Sequence, residues 1–385
     1  MDYEQTLAYL YARLPMYSRI GKAAYKADLS NTHALMDALG HPEQGLKCVH
    51  IAGTNGKGSV AHMLASVLQE AGYRTGLHTS PHLKDFRERF RINGEMVPKE
   101  AVMAFVEDHR TAFEPIDASF FEWGVALAFH WFRDQQVDIA VIETGLGGRL
   151  DSTNVVIPEV SIITNIAWDH ADLLGDTLEK IAGEKSGIIK HQVPVVIGEA
   201  TGSIAEVFRQ KAKEMEAPIQ FTDQQAPLSY SLDLAGPHQE RNARTVVAGL
   251  RILQERGWSI TEEQIARGLE NVRTPTGYAG RWQTIGTGPL TIVDVGHNED
   301  GLRILQDMLV RTPHERLHIV LGVVNDKDIA RMLVRLPKEA TYYFCKADIP
   351  RGLVAEELER QARMAGLKGS AYDSVSTALT AAQEQ

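Results

Sequence analysis

The chain holds only two cysteines, Cys48 and Cys345, in 385 residues, and neither belongs to a C-x-x-C pair. This excludes a disulfide scaffold and argues against a structural zinc site. Both thiols are expected to be buried in a reducing compartment. No stretch approaches the ~18 uncharged apolar residues that a membrane-spanning helix needs. The N-terminal segment MDYEQTLAYLYARLPMYSR carries charges early and has no uninterrupted apolar core, unlike a secretory signal. A basic excess is also missing: 40 Lys and Arg stand against 50 Asp and Glu, a formal net charge of −10. That speaks against a generic nucleic-acid binder. Internal repeats and long low-complexity segments are absent, which excludes a solenoid. The expectation is a soluble, cytoplasmic protein that engages neither membrane nor nucleic acid.

What is present is an alternation of short apolar runs with longer helical patterns. At about 150 residues per domain the length allows two to three domains. The alternation predicts βαβ units and an α/β fold with a mostly parallel sheet. Strands are expected at 47–52, 73–78, 137–143, 160–165 and 193–197, and helices at 121–133, 177–189 and 242–255. Val60, Leu64, Val67, Leu68 and Ala71 recur at helical spacing, and Gly72 is placed to end that helix. Segment 273–280 is rich in turn formers and reads as a linker. Beyond it, strands expected at 290–295, 317–323 and 341–345 alternate with helices, enough for a second, smaller α/β domain. The expected organisation is a larger domain over 1–276, a linker at 277–283 and a smaller Rossmann-like α/β domain over 284–385.

The unusual residues cluster where these strands end, at 53–59, 79–82, 143–154, 165–170, 294–298 and 322–327. Open α/β sheets bind ligands at the carboxyl ends of their strands. Gly53-Thr54-Asn55-Gly56-Lys57-Gly58-Ser59 lies between a strand and a helix. Glycines let a backbone wrap an anion and point N–H groups at it, and the helix start adds positive partial charge. Lys57 can reach β- and γ-phosphates, and Ser59 can hold a magnesium ion. The match to G-x-x-x-x-G-K-[ST] is not literal, since Ile51 stands at its first position and Gly58 separates lysine from serine. Glu143 ends an apolar strand before a glycine loop and suits a hard cation. Asp169 and His170 follow another strand, although histidine is a soft ligand for magnesium. Lys185, read by itself, is a solvated helical lysine.

Taken together, Gly53–Ser59 (GTNGKGS), 79–83 (TSPHL), Phe121-Glu122, 143–149 (ETGLGGR), 151–154 (DSTN), 165–170 (NIAWDH) and 183–190 (GEKSGIIK) resemble the folylpolyglutamate synthase/dihydrofolate synthase family, relatives of the Mur ligases. Gly236-Pro237-His238-Gln239, Gly280-Arg281, 294–298 and Asp326-Lys327-Asp328 extend the resemblance to the second domain. Each piece is modestly specific; their joint order is highly so.

The resemblance implies an ATP-dependent ligase that joins L-glutamate to a folate, and to dihydropteroate if bifunctional, through an acyl phosphate. Gly53, Thr54, Asn55, Gly56, Lys57, Gly58 and Ser59 would bind the triphosphate. Asn242, Arg281, Asp294 and His297 would contact nucleotide. Ser59, Ser80 and Glu143 would surround one magnesium ion, and His170 would help hold a second. Lys185 would be carbamylated, and Lys57, His170 and Lys185 would carry catalysis. Segment 80–91 (SPHLKDFRERFR) resembles the family's folate-side loop. There Pro81, His82, Phe86 and Arg87 would face substrate, Phe86 by stacking and the basic residues by holding carboxylates. Glu122, Asp151 and Lys327 fall on the substrate side as well. A monomer is implied.

Departures from the family pattern are small. Asp294-Val295-Gly296-His297-Asn298 replaces the common DGAHN or DTGHN, and Val125 stands where threonine is frequent. Related chains continue past a helix such as 374–385 into a further strand, so the second sheet is expected to lack an edge strand. A cell-wall Mur ligase would need a nucleotide-sugar domain ahead of Gly53, for which 52 residues are too few. A P-loop regulatory ATPase and an inactive folate-binding paralogue are the remaining alternatives.

Overall fold

Strand β1 (Cys48–Ala52) is buried along its whole length, and the larger sheet is built outward from it. The structure is a computed structural model that describes residues 1–15, 26, 28–223, 228–296, 298–325 and 329–385. The chain divides into two compact units, Met1–Ala279 and Gly280–Gln385.

In the first unit β1 is followed by β2 (Thr75–His78), β3 (Phe90–Ile92), β4 (Glu95–Met96), β5 (Ile139–Glu143), β6 (Val160–Asn165), β7 (Val195–Glu199) and β8 (Ile219–Phe221). They form one sheet in the order β4-β3-β2-β5-β1-β6-β7-β8. The run from β2 to β8 is parallel, and β3 and β4 add an antiparallel edge. Parallel strands need helical crossovers on both faces, so their sequences are apolar on both sides. Alternate residues of β1 accordingly enter different cores. Val49 and Ile51 pack with the helices Lys57–Glu70, Pro237–Glu255 and Glu262–Glu270. Cys48 packs on the opposite face with Tyr3–Arg13, Lys99–Phe113 and Phe120–Asp134. A third cluster joins Ile163 and Ile197 to Phe208 of the helix Gly202–Glu214. The helix Lys57–Glu70 ends as its sequence suggests: Gly72 takes φ +87° just past the cap.

In the second unit, strand 290–295 is expected to continue the parallel alternation. It is instead β10 (Leu290–Val293), the second arm of an antiparallel hairpin with β9 (Gln283–Thr287). Neither arm has a continuous apolar run, and most of their residues are exposed or half-buried, so periodicity carries little signal there. The parallel sheet consists of β11 (His318–Leu321), β12 (Thr341–Cys345) and β13 (Lys368–Tyr372), in that order. Strand β13 reads KGSAY, too polar to stand out as a strand. The helices Ala355–Met364 and Val375–Gln383 pack on this sheet.

Segment 273–280 differs from a plain linker. Arg273–Thr276 forms one helical turn, with Thr276 fully buried and Tyr278 in the main core. Both cysteines are free and buried. No helix among the described residues is long and apolar enough to cross a membrane.

Candidate active site

The chain leaves β1 through Gly53, whose φ is +149°, and enters the helix Lys57–Glu70 through Gly56, whose φ is +86°. Both positions exclude a side chain sterically. A Cβ on Gly53 would lie 1.8 Å from Thr164 Oγ1, and one on Gly56 would lie 2.5 Å from Asn242 Oδ1. The loop is held against the end of β6. Thr54 N donates to Asn165 O at 2.9 Å, and Asn55 N donates to Asn165 Oδ1 at 2.9 Å. Thr164 Oγ1 donates to Asn55 O at 2.6 Å. Asn165 was legible in sequence as a polar residue ending an apolar strand, but its function as the loop's anchor was not.

Two lysines meet at the loop. Lys57 Nζ donates to Gly53 O at 3.0 Å and to Thr54 O at 3.2 Å. Lys185 Nζ donates to the same Gly53 O at 2.8 Å. Lys185 is 3% exposed, which corrects the solvated reading of this residue. Burial first and the neighbouring Lys57 charge second lower its pKa to about 7, against the opposing effect of Asp169 and Asp151. The helix Leu178–Ser186, capped by Thr177, carries Lys185 inward.

Glu143 ends β5 beside this loop and is buried. It accepts from Ser80 N at 3.1 Å, which joins the end of β2 to the end of β5. A Cβ on Gly58 would lie 3.8 Å from Glu143 Oε2, so the helix start and this carboxylate are close neighbours. Ser59 Oγ is hydrogen-bonded to Tyr278 OH at 2.7 Å and accepts from Gln239 Nε2 at 3.2 Å. Gln239 Oε1 in turn accepts from Asn242 Nδ2 at 3.0 Å. Tyr278 and Gln239 were not singled out as site residues from sequence; nothing local in a turn-rich segment marks a tyrosine as a partner of Ser59. His170 has φ +47° at the start of the short helix Ala171–Leu174, with Nε2 3.6 Å from Asp169 Oδ1.

Among the described residues, no three His, Cys, Asp or Glu side chains form a metal cage. The oxygen donors at hand, Glu143 and Ser59, nonetheless fit magnesium. That ion binds through few protein oxygens and takes the rest of its shell from water and phosphate.

Several expected substrate residues are engaged in structure. Phe86 is buried against Phe90 and Phe120, with ring centroids 5.1 and 5.3 Å away, so it is not open for stacking on a ligand. Arg87 pairs with Asp85 at 2.7 Å. Glu122 Oε2 accepts from Ser119 N at 2.6 Å in the capping box of the helix Phe120–Asp134. Asp151 accepts from Leu146 N at 2.7 Å and Thr153 N at 3.0 Å, fixing the glycine loop after β5. Pro81 is exposed, and His82 accepts from Arg89 Nε at 2.8 Å. In the second unit, Asp294 accepts from Trp282 N and Gly296 N, each at 2.7 Å. Arg281 NH1 donates to Gly280 O at 3.4 Å. His297 and Lys327 lie outside the described residues.

Comparison with known proteins gives this arrangement its context. Residues 51–248 match the Mur ligase middle domain, and residues 280–385 match the Mur ligase glutamate ligase domain. The chain is 35% identical to the dihydrofolate synthase/folylpolyglutamate synthase of Bacillus subtilis, over 91% of this chain and 88% of that protein. It is 33% identical to a probable bifunctional folylpolyglutamate synthase/dihydropteroate synthase of Haloferax volcanii; 91% of this chain is covered but only 44% of that longer protein. Among solved structures it is similar to Escherichia coli FolC in complex with DHPP and ADP. The TM-score is 0.88 at 29% identity, covering 100% of this chain and 92% of that one. Mycobacterium tuberculosis folylpolyglutamate synthase complexed with ADP and AMPPCP gives a TM-score of 0.89 at 29% identity, with 100% and 92% covered. With a strand-to-helix phosphate loop, two converging lysines and these relatives along nearly its whole length, the chain belongs to the folylpolyglutamate synthase/dihydrofolate synthase family of Mur ligases.

Proposed function

We infer that this chain is an ATP-dependent ligase that adds L-glutamate to a folate, and that it is bifunctional, also accepting dihydropteroate. It is taken to act as a cytoplasmic monomer of two domains, 1–276 and 284–385, joined at 277–283. The observation that carries the reading is the convergence of Lys57 and Lys185 on one loop carbonyl beside Glu143. The relatives, named for these two activities and solved with ADP or AMPPCP, support it.

The chemistry follows from a difficulty. A carboxylate is anionic and has no leaving group, so it acylates amines poorly. Transfer of the γ-phosphoryl group of ATP to a carboxylate oxygen breaks the bond to ADP and creates an acyl phosphate. The glutamate amine then attacks the acyl carbon and gives up a proton, and the bond from that carbon to the phosphate oxygen breaks, releasing phosphate with one of the original carboxylate oxygens. The site must therefore stabilise charge on transferring phosphoryl oxygens and then on a tetrahedral oxyanion. Lys57 supplies a cation at the loop, and the amides at the start of the helix Lys57–Glu70 supply donors without intrahelical partners. Thr54 and Asn55 contribute differently, because their amides hold the loop to Asn165. Asn242, packed on Gly56, and Arg281, Asp294 and His297 are assigned to the nucleotide by resemblance.

Ser59 and Glu143, with Ser80 and His170, are the proposed magnesium ligands, two ions in all; bound there, magnesium would offset phosphate charge. Lys185 is proposed to be carbamylated. With its pKa lowered to about 7, a large share of this buried amine is uncharged near neutrality and able to add to carbon dioxide. The addition forms the nitrogen–carbon bond, releases a proton and leaves an anion where a buried amine stood.

The test is a product assay with magnesium-ATP and labelled L-glutamate, offering dihydropteroate in one tube and a reduced folate in the other. Glutamate incorporated in both tubes, with ADP release, is the expected result. Incorporation with reduced folate alone would remove the dihydropteroate activity. ATP hydrolysis without incorporation in either tube would overturn the assignment.

A further inference from the structure

Ser59, His62 and Ser66 fall at i, i+3 and i+7 of the helix Lys57–Glu70, a spacing that lines one face. All three are buried, and each is bonded to one stretch of chain, residues 271–278. Ser66 Oγ donates to Asn271 O at 2.8 Å, His62 Nδ1 lies 2.8 Å from Thr276 Oγ1, and Ser59 Oγ lies 2.7 Å from Tyr278 OH. The Tyr278 ring also meets the His62 ring edge-on, with centroids 5.0 Å apart. Buried polar side chains cost free energy unless they are hydrogen-bonded, so this stripe specifies where the segment lies on the helix. It brings the Tyr278 hydroxyl to Ser59 from 219 residues further along the chain.

The direction of donation follows from the partners. Thr276 Oγ1 gives its only proton to Val272 O at 2.6 Å, so His62 donates from Nδ1. Gln239 Oε1 accepts from Asn242 Nδ2, so the Gln239 amide turns its N–H toward Ser59 Oγ, 3.2 Å away. A serine hydroxyl has one proton and two lone pairs, and Gln239 occupies one lone pair. The proton and the second lone pair remain. The Tyr278 hydroxyl is both donor and acceptor and can meet either of them. If Tyr278 donates, both lone pairs of Ser59 are filled and the oxygen has nothing to offer a cation. If Ser59 donates, the second lone pair stays open.

We propose that Tyr278 is a positioning residue for the metal site: it accepts the Ser59 proton and, with Gln239 on one lone pair, leaves the other for the magnesium that accompanies ATP. The proposal rests on the reading of Ser59 as a magnesium ligand. No covalent bond forms or breaks; only the direction of one hydrogen bond is set.

The experiment uses the whole chain with ADP and with Mn2+ as the probe, free Mn2+ being counted by electron paramagnetic resonance. Binding of metal-free ADP is measured in EDTA by calorimetry. Tyr278→Phe deletes one oxygen and keeps the ring. It is expected to raise the Kd for Mn2+ in the ADP complex by about 5–50-fold, the scale of a buried hydrogen bond left unmade, while metal-free ADP binding stays within about twofold. Ser59→Ala should weaken Mn2+ binding at least as much. Unchanged Mn2+ binding in Tyr278→Phe, with Ser59→Ala weakened, overturns the proposal and keeps Ser59 as a ligand. Tighter Mn2+ binding in Tyr278→Phe overturns it too, since Tyr278 would then be the donor that fills the lone pair. Equal losses for Mn2+ and metal-free ADP would reduce Tyr278 to packing, again against the proposal. Unchanged Mn2+ binding in Ser59→Ala removes both the ligand reading and the proposal. Should Tyr278→Phe fail to fold, 3-fluorotyrosine placed at position 278 serves instead, being a poorer acceptor and a better donor of nearly the same shape. Weaker Mn2+ binding is then the expected result, and unchanged or tighter binding overturns the proposal.

Discussion

Lys57 and Lys185 donate to the same backbone oxygen, the Gly53 carbonyl, at 3.0 and 2.8 Å. Two like charges this close raise each other's energy, and only one of them is exposed enough to stay hydrated. Lys185, the buried member, is driven toward the neutral amine, with the Lys57 charge adding to the effect of burial.

Replacing Lys57 with Ala removes the cation proposed to face the transferring phosphoryl group. Glutamate ligation is expected to fall by about 10²–10³-fold or more. Near-normal product formation in a steady-state assay would contradict the assignment of this loop to ATP.

Lys185→Ala should lose activity and regain part of it when formate or acetate is added, as expected if a carbamate supplies the anion. Full activity without added acid would limit Lys185 to packing. The sign of its effect on stability is also set. Its folded pKa lies near 7 against 10.5 for the free side chain. Native Lys185 therefore resists the proton that the unfolded chain binds, and this penalty is relieved as pH rises from about 7 to 10.5. In the Lys185→Met variant the urea midpoint should rise less over that range than in the wild type.

Three buried histidines, His50, His62 and His78, have their pKa pushed down to about 3 by desolvation. His62 Nδ1 is 2.8 Å from Thr276 Oγ1, and His50 Nε2 is 2.8 Å from Thr153 Oγ1. The unfolded chain takes up these protons near pH 6.5, so stability should drop as pH falls from about 6.5 toward 3. The slope is about 1.4 kcal/mol per pH unit for each proton. Unfolding midpoints across pH 4–7 should show a shallower fall in His62→Gln than in wild type. An unchanged slope would mean that His62 is already protonated in the native state.

Gly53→Ala places a methyl group 1.8 Å from Thr164 Oγ1 at a φ of +149°. Either the loop shifts or Thr164 gives up its bond to Asn55 O. A loss of about 1–3 kcal/mol in unfolding free energy is expected, with weaker ATP binding. Calorimetric titration of ATP and denaturant unfolding check this together. Wild-type values for both would show that the loop has room for a side chain.

The strand–loop–helix around Gly53–Ser59 was legible because every clue is local: an apolar run, glycines, then helical spacing. Glu143 and Asn165 were recognisable as polar residues ending strands, since parallel strands collect their carboxyl ends at one edge of the sheet. Strand β10 was legible at 290–295, but its antiparallel pairing with β9, and the strands β9 and β13 themselves, were not, because β9 and β13 are largely polar and the pairing partner is not marked in the sequence. The same holds for side chains. Phe86 looked like a ligand platform until Phe90 and Phe120 closed over it, and Arg87 looked free until Asp85 paired with it. Spacing along the chain records which face a residue occupies, and it therefore specified the α/β alternation, the phosphate loop and the family motifs. Burial and charge pairing depend on segments far apart in the chain. The folded molecule alone brought Lys185 to Gly53 O and bound Ser59 to Tyr278, because each outcome depends on which distant groups displace water around a side chain.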